Sequence, residues 1–395
     1  MKILIILPAV GLSYGGPSKS ILELAKATGQ HGISIDIVTT NADTSVALNV
    51  PLKQWITYPQ YRIQYFPYLP FSDYKLSPSL LTWLWNHIKD YDLVHTNAIF
   101  SLNITLAHWF CRWQNIPYII TPRGMLEPWA LSYKAWKKQF YYRLLEQPTL
   151  QTASTIHVLA TQEAEGIQPL KLKPPLTKIP NGIHAEDFQT LPSPDLFFQR
   201  FPTTSGKQLI LFLGRIDPKK GLDLLAQAFG LVYQQFPKAH LIVAGQDNIG
   251  FLPTAKEYFS KANCLDAVTF TGMLTGDLKY AALAAANLYV APSYSEGFSM
   301  SMLEGMASGL PCVITTGCNF PEAKLAKAAH VVDIDADAIA KALIDCLSTP
   351  DEAKAMGDRA HQFILEYYTW DKIASQLIKT YDAIIKNKQL PHLYI

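Results

Sequence analysis

One pattern recurs in both halves of the chain and limits what it can become. A short apolar run leads to a glycine-containing turn, a helical stretch, and another apolar run. Residues 3–7 read ILIIL, followed by SYGGPS and then KSILELAKAT, with Ile21, Leu24, Ala25 and Thr28 at helical spacing. Gly29 and Gly32 close that helix, and ISIDIVTT comes next. Short runs of branched aliphatic residues without polar alternation are strands buried on both faces, and such strands need helices on both sides of a parallel sheet. Further strands are expected at YRIQYF, DLVHT, PYIIT, TIHVLA and TKIP. The pattern restarts at QLILFLG and continues through the helix GLDLLAQAFGLVYQQF, the strands HLIVAG and AVTFTG, the helix GDLKYAALAAA, and the strands LYVAPS and PCVITT. The fold class is therefore α/β, with two Rossmann-like doubly wound domains.

Between the halves, residues 189–206 (QTLPSPDLFFQRFPTTSG) carry three Pro and a Ser/Thr/Gly cluster, the composition of a linker. The expected division is a first domain over 1–189, a linker over 190–206, a second domain over 207–366, and a C-terminal helix within 367–395 that packs back towards the first domain. Ligands of such sheets lie beyond the carboxyl ends of the strands, so a cleft between facing domains is the expected site.

Composition excludes several classes. With 395 residues, 49% hydrophobic and 17% charged, the chain is globular rather than disordered. Its formal charge of +2, without a basic tail, gives no footprint for nucleic acid. The five Cys are odd in number and lack Cys-x-x-Cys or metal spacing, which fits buried thiols in a cytoplasmic protein. No apolar run reaches the roughly 18 residues that cross a bilayer. MKILIILPAVGL has the apolar stretch of a signal peptide but no small-x-small cleavage site, and it reads as a buried strand.

Three stretches carry chemistry. In LGRIDPKKGLDLL (213–225), Gly214 permits the turn after a strand, and Arg215 and Lys220 lie before a helix. Two cations near a helix N-terminus suit a diphosphate, although a solvated loop would have the same composition. In SYGGPS, Gly15 and Gly16 allow close approach of backbone to a ligand, but their spacing is not the dinucleotide fingerprint. In SEGFSMSMLEGMASGLP (295–311), Glu296 falls in the loop after LYVAPS, Ser299 is an N-cap, and Glu304 lies on a helix ending near Ser308 and Gly309. A capping box of Ser301 with Glu304 remains an alternative.

These motifs, in this order, resemble the retaining glycosyltransferases of family four, which have the GT-B fold. EGFSMSMLE is similar to their signature of two glutamates separated by seven residues, GRIDPKKG to their arginine–lysine loop, and YGGPS to their N-terminal glycine loop. IPNGIHAEDF and EGMASGLPCVIT also resemble the family, and TPRGMLEPWAL and GCNFPEA resemble members that assemble bacterial surface polysaccharides.

The resemblance implies transfer of a hexose with retention, from a UDP- or GDP-sugar to a glycan or lipid-linked acceptor, with no cofactor and no metal ion. Glu304 would hold the ribose and Glu296 the transferred sugar. Arg215, Lys220 and the N–H groups of Phe298 and Ser299 would hold the diphosphate, with Gly15, Gly16 and Asn319 also on the donor side and Glu322 a further candidate. His95, at the end of DLVHT, and Arg123, where many relatives carry a histidine, would face the acceptor. A sugar-nucleotide epimerase on the same frame is the alternative. The acids in VVDIDADAIA, Asp333, Asp335 and Asp337, look like a cation-binding Asp-x-Asp element. They precede an Ala-rich helix, where capping is a sufficient role. The basic and aromatic segment LSYKAWKKQFYYRLLEQ (131–147) suits the surface of an anionic membrane, which places the protein at the cytoplasmic face.

Overall fold

The computed structural model describes residues 1–11, 16–43, 47–69, 75–126 and 139–391. The chain forms two compact units: Met1–Gly182 with Trp370–Ile395, and Ile183–Thr369.

The first unit contains β1 (Lys2–Ala9), β2 (Ser34–Thr40), β3 (Trp55–Thr57), β4 (Arg62–Phe66), β5 (Leu93–Asn97), β6 (Tyr118–Thr121), β7 (Thr155–Val158) and β8 (Leu176–Lys178). Their spatial order is β3-β4-β2-β1-β5-β6-β7-β8, and only the edge pair β3–β4 is antiparallel. The N-terminal apolar run is thus a central strand, with Ile3–Leu7 buried between β2 and β5. Helix Trp370–Ile385 belongs to this unit and packs on helix Gly16–Gln30. Its Ile373, Ala374, Leu377 and Tyr381 form the buried stripe, spaced as an amphipathic helix requires.

A polar chain ties that helix to the sheet. His95 Nδ1 meets Tyr381 Oη at 2.7 Å, His95 Nε2 meets Thr121 Oγ1 at 2.7 Å, Thr121 Oγ1 meets His157 Nδ1 at 2.9 Å, and His157 Nε2 meets the Ile179 carbonyl at 2.7 Å. A carbonyl can only accept, so His157 Nε2 donates to Ile179. With both imidazoles neutral, as their burial favours, Thr121 donates to His157, His95 donates to Thr121, and Tyr381 donates to His95. Burial, then the charges of His157 and Arg123, push His95 well below the usual histidine range. Burial lowers His157 to about 4, against its bond to the Ile179 carbonyl.

The second unit contains β9 (Gln208–Leu213), β10 (Ala239–Ala244), β11 (Val268–Gly272), β12 (Leu288–Ala291), β13 (Cys312–Thr315) and β14 (His330–Val332), all parallel, in the order β11-β10-β9-β12-β13-β14. This is the doubly wound dinucleotide-fold order, whose direction reverses between β9 and β12. Helix Leu222–Gln235 buries Leu222, Leu225, Ala226, Phe229 and Val232 against Phe212, Leu241 and Val243. Burying each of the large side chains contributes about 1.5–3 kcal/mol.

The expected boundaries shift. The stretch expected as a linker, 190–206, folds with the second unit: Asp195–Arg200 is helical, and Phe197, fully buried, lies 4.9 Å ring-to-ring from Phe201. Its prolines start short helical turns at Asp195 and Pro202 rather than mark a flexible tether. The chain crosses between the units at Gly182–Ile183 and Thr369–Trp370, where Ile183 and Thr369 form a parallel bridge. All five cysteines are buried and free. Among the described residues, no helix is long and apolar enough to cross a membrane.

The neutral histidine chain sets a pH dependence. An unfolded histidine takes up a proton below about pH 6.5, whereas the folded His157 does so only near 4. Stability should be level above pH 6.5 and fall as pH drops from there, by about 1.4 kcal/mol per unit for each such histidine. Urea midpoints between about pH 7.5 and 5 measure this. A His157→Gln variant should show a shallower decline than the native chain.

Candidate active site

The first cationic loop follows β9. Asp217 closes it by accepting from the Lys219 N–H at 3.0 Å, and Pro218–Lys220 forms one 3-10 turn. Gly221 then starts helix Leu222–Gln235 with φ +68°. A Cβ at Gly221 would lie 2.0 Å from the Pro292 carbonyl oxygen. Only glycine allows this backbone to meet the loop after β12. The Lys219 carbonyl accepts from the Tyr294 N–H at 2.8 Å in the same contact.

The loop after β12 carries Glu296. Its Oε1 accepts from Lys220 Nζ and, at 2.7 Å, from Ser293 Oγ. The Glu296 N–H donates to the Gly317 carbonyl at 2.8 Å, and Asn319 Nδ2 donates to the Glu296 carbonyl. The sequence thus brings Lys220 and Glu296, expected on the diphosphate and on the sugar, into one ion pair with side chains 15% and 14% exposed. Arg215 differs. Its side chain is half exposed and reaches Asp217 only at 4.0 Å.

Helix Met300–Ala307 begins where expected. Ser299 is its N-cap and its Oγ accepts from the Met302 N–H at 3.4 Å. The alternative start at Ser301 does not occur. The Phe298 ring packs against Phe320 and Tyr368 at 5.2 and 5.9 Å, so its ring is core. Glu304 is nearly buried, and Lys279 Nζ donates to its Oε1 at 2.8 Å. Lys279 lies in the first turn of helix Gly276–Ala285, which follows β11.

Asn319 is 4% exposed with φ +57°, and its amide nitrogen is engaged by Glu296. Asn319 is thus a strut under the Glu296 backbone, on the donor side where it was expected. Glu322 lies half-buried in the first turn of helix Pro321–Leu325. Asp335 caps helix Ala336–Ser348 by accepting from the Ala338 N–H at 2.9 Å, and Asp337 lies in that helix's first turn. Among the described residues, no group of three or more His, Cys, Asp or Glu is arranged to hold a metal ion. Burial, then the Glu296 charge, pushes the neighbouring Cys318 thiol up to about 12.

In the first unit, Gly16 opens helix Gly16–Gln30, and a Cβ there would meet nothing within 4 Å. Intramolecular packing therefore does not require glycine at this position. Gly15 lies outside the described residues. Arg123 follows β6 with φ +56°. Its Nη2 and Nε donate to Asn97 Oδ1 at 2.9 and 3.2 Å, and its Nη1 to Ser20 Oγ at 3.3 Å. Burial lowers its guanidinium to about 10, against the pull of Glu163. His95 is not at the carboxyl end of its strand but in the middle of β5, 1% exposed, with both ring nitrogens engaged. The expected acceptor-side role for His95 is thereby corrected to a core tie.

Sequence reading missed Lys279 and Ser293. Lys279 had a signal: a lone cation in the first turn of an Ala-rich helix sits against the helix dipole.

Two doubly wound units, one with paired cations and acids where its strand order reverses, define a protein of the GT-B fold class. The family model described as Glycosyltransferase Family 4 matches residues 14–187, and that described as Glycosyl transferases group 1 matches residues 195–363. The chain belongs to glycosyltransferase family four. It is 29% identical over 215 residues to a phosphatidyl-myo-inositol mannosyltransferase of Mycobacterium tuberculosis, covering 52% of this chain and 54% of that one. The chain thus spans about half the length of that curated relative. An alpha-monoglucosyldiacylglycerol synthase of Streptococcus pneumoniae is 26% identical over 347 residues, covering 80% of this chain and 76% of that one. A sucrose-phosphate synthase structure from Thermosynechococcus elongatus superposes with a TM-score of 0.79 at 22% identity, covering 98% of this chain and 100% of that one.

The glycine contact between the two loops is directly testable. Gly221→Ala adds a clash with Pro292 and a strained φ. It should lower stability by about 1–3 kcal/mol in urea unfolding. It should also weaken binding of nucleoside diphosphate by calorimetry, whereas Gly16→Ala should leave stability unchanged.

Proposed function

We propose that the protein is a retaining glycosyltransferase that moves a hexose from a UDP- or GDP-sugar to a glycan or lipid-linked acceptor in surface polysaccharide or glycolipid synthesis. One observation carries this reading. Lys220 and Glu296 meet in an ion pair between the loops after β9 and β12, where the strand order reverses, and Arg215 lies in the first of those loops. The family and the named activities of the mannosyl- and glucosyltransferase relatives support it.

In this reading Lys220 and the half-exposed Arg215 bind the diphosphate. The N–H groups at Phe298 and Ser299, at the start of helix Met300–Ala307, add the positive end of the helix dipole. Glu304 accepts the ribose hydroxyls, and Glu296 accepts hydroxyls of the transferred sugar. The bond from the anomeric carbon to the diphosphate oxygen breaks as positive charge develops on the ring. The two cations stabilise the departing anion. The acceptor oxygen attacks on the face the diphosphate leaves, and its proton passes to a phosphate oxygen, so configuration is retained without a protein nucleophile. The nearest thiol, Cys318, is protonated and buried, which supports that route.

Metal independence is part of the proposal. Arg215 and Lys220 supply the positive charge, while Asp335 is engaged in capping its helix. The acceptor is assigned to the first unit, near Arg123, while the open side of Gly16 is assigned to the donor. Peripheral membrane contact rests on the segment 131–147. Residues 131–138, with Lys134, Trp136, Lys137 and Lys138, lie outside the described residues. Beyond them, Phe140, Arg143 and Leu144 are exposed, with Phe140 67% and Leu144 55% open.

Turnover tests the site. Arg215→Ala and Lys220→Ala should each reduce it by at least ~100-fold, as for loss of one preorganised charge at a developing anion. Each variant should keep its cooperative melt. Excess EDTA and Asp335→Asn should leave turnover in place, and product NMR should report the donor's anomeric configuration. A dead enzyme in EDTA that magnesium or manganese revives would refute the metal-free mechanism.

Membrane contact has its own measurement. The protein should float with vesicles containing anionic lipid and remain in the dense fraction with neutral vesicles. Phe140→Ser with Leu144→Ser should reduce the floated fraction.

A further inference from the structure

We propose that Lys279 is a positioning residue that holds Glu304 for the ribose of the donor, and that selection of a ribonucleotide over its 2′-deoxy counterpart depends on it. The proposal rests on the donor site described above. Lys279 Nζ donates to Glu304 Oε1 at 2.8 Å, and the two side chains are only 13% and 11% exposed. The ammonium also lies 4.5 Å from the centre of the Tyr280 ring. Tyr280 is itself held, its hydroxyl donating to Asp187 Oδ2 at 2.6 Å and its ring packing on Phe188 at 5.6 Å. The lysine is therefore fixed from two sides.

Stability alone does not explain the arrangement. Taking two charges out of water is costly, and an apolar pair of similar volume is often as stable. The first turn of a helix also disfavours a cation. What the pair provides is geometry. A glutamate carboxylate has about four acceptor positions. With Oε1 taking one bond from Lys279, the remaining positions are held in fixed directions. Two neighbouring ribose hydroxyls are two donors at a set separation, and a fixed carboxylate can accept from both. Without Lys279, the flexible glutamate side chain loses the bond that orients Oε1 and must be ordered at each binding event. The carboxylate then has no advantage over water as an acceptor. Loss of the 2′ hydroxyl no longer matters.

The experiment measures affinity by calorimetry for UDP, GDP and their 2′-deoxy forms, together with donor KM and kcat. The native protein should favour the ribo form by at least ~10-fold, as sites built to bond a hydroxyl do. In Lys279→Met the preference should shrink to within about threefold, and donor KM should rise about tenfold with kcat little changed. Lys279→Arg should restore most of the preference. If Lys279→Met does not fold, Lys279→Ala replaces it, since it too removes the donor. A folded Lys279→Met or Lys279→Ala with the native preference overturns the proposal, even if its melting point falls. A native protein that binds nucleoside diphosphates without any preference overturns both the ribose role of Glu304 and this proposal. A native protein that binds none of the four overturns the donor-site reading itself.

Discussion

The contact on which the second unit depends is one of backbone with backbone. Strands β9 and β12 are neighbours in the sheet, yet they are separated in the chain by β10 and β11. Their outgoing loops come from opposite branches of the winding and must still meet. Gly221 against Pro292, and the Tyr294 N–H on the Lys219 carbonyl, make that meeting. Lys220 is carried on one side of the contact and Glu296 on the other, so their ion pair is a consequence of it. Gly317 does the same one strand further on. A Cβ there would lie 2.3 Å from the Ser293 carbonyl oxygen, and its own carbonyl accepts the Glu296 N–H. Three loops are packed at distances that side chains would prevent.

Both units bury charge in pairs, and the first does so with Arg62 on the buried Asp36. The first also buries neutral histidines in a hydrogen-bonded chain that ends on the Ile179 carbonyl. The second buries full charges in two pairs, Lys220 with Glu296 and Lys279 with Glu304. A neutral network costs less to desolvate and serves to specify packing. Charged pairs cost more and hold charge in place. Arg215, half exposed, is the contrasting cation in this region.

Much of this was legible in the sequence because strand, glycine turn and helix follow one another with short spacing. The strands at ILIIL, QLILFLG and LYVAPS, and the Ser299 cap, need only local information. The stretch 190–206 misled because proline is common both in tethers and at helix starts, and the apolar residue that decides, Phe197, finds its burial through distant contacts. His95 was read as facing a ligand because strand ends are uncertain by a few residues. Its partner Tyr381 lies 286 positions away. Lys279 and Glu304 are 25 positions apart on different helices. No periodicity links them, and only the sheet order brings their helices together.

The route of the chain has a consequence for synthesis. The second unit is made of one continuous stretch, Ile183–Thr369, so its six-stranded sheet can form as soon as that stretch has left the ribosome. The first unit begins earlier and finishes later. Its sheet strands emerge first, but Tyr381, which caps the polar chain from His95, follows the whole second unit. Until then His95 Nδ1 lacks its donor and the face of helix Gly16–Gln30 that receives helix Trp370–Ile385 is open. The nascent protein therefore passes through a stage in which the later-made unit is complete and the earlier-made one waits, a reversal of the usual N-terminal-first order.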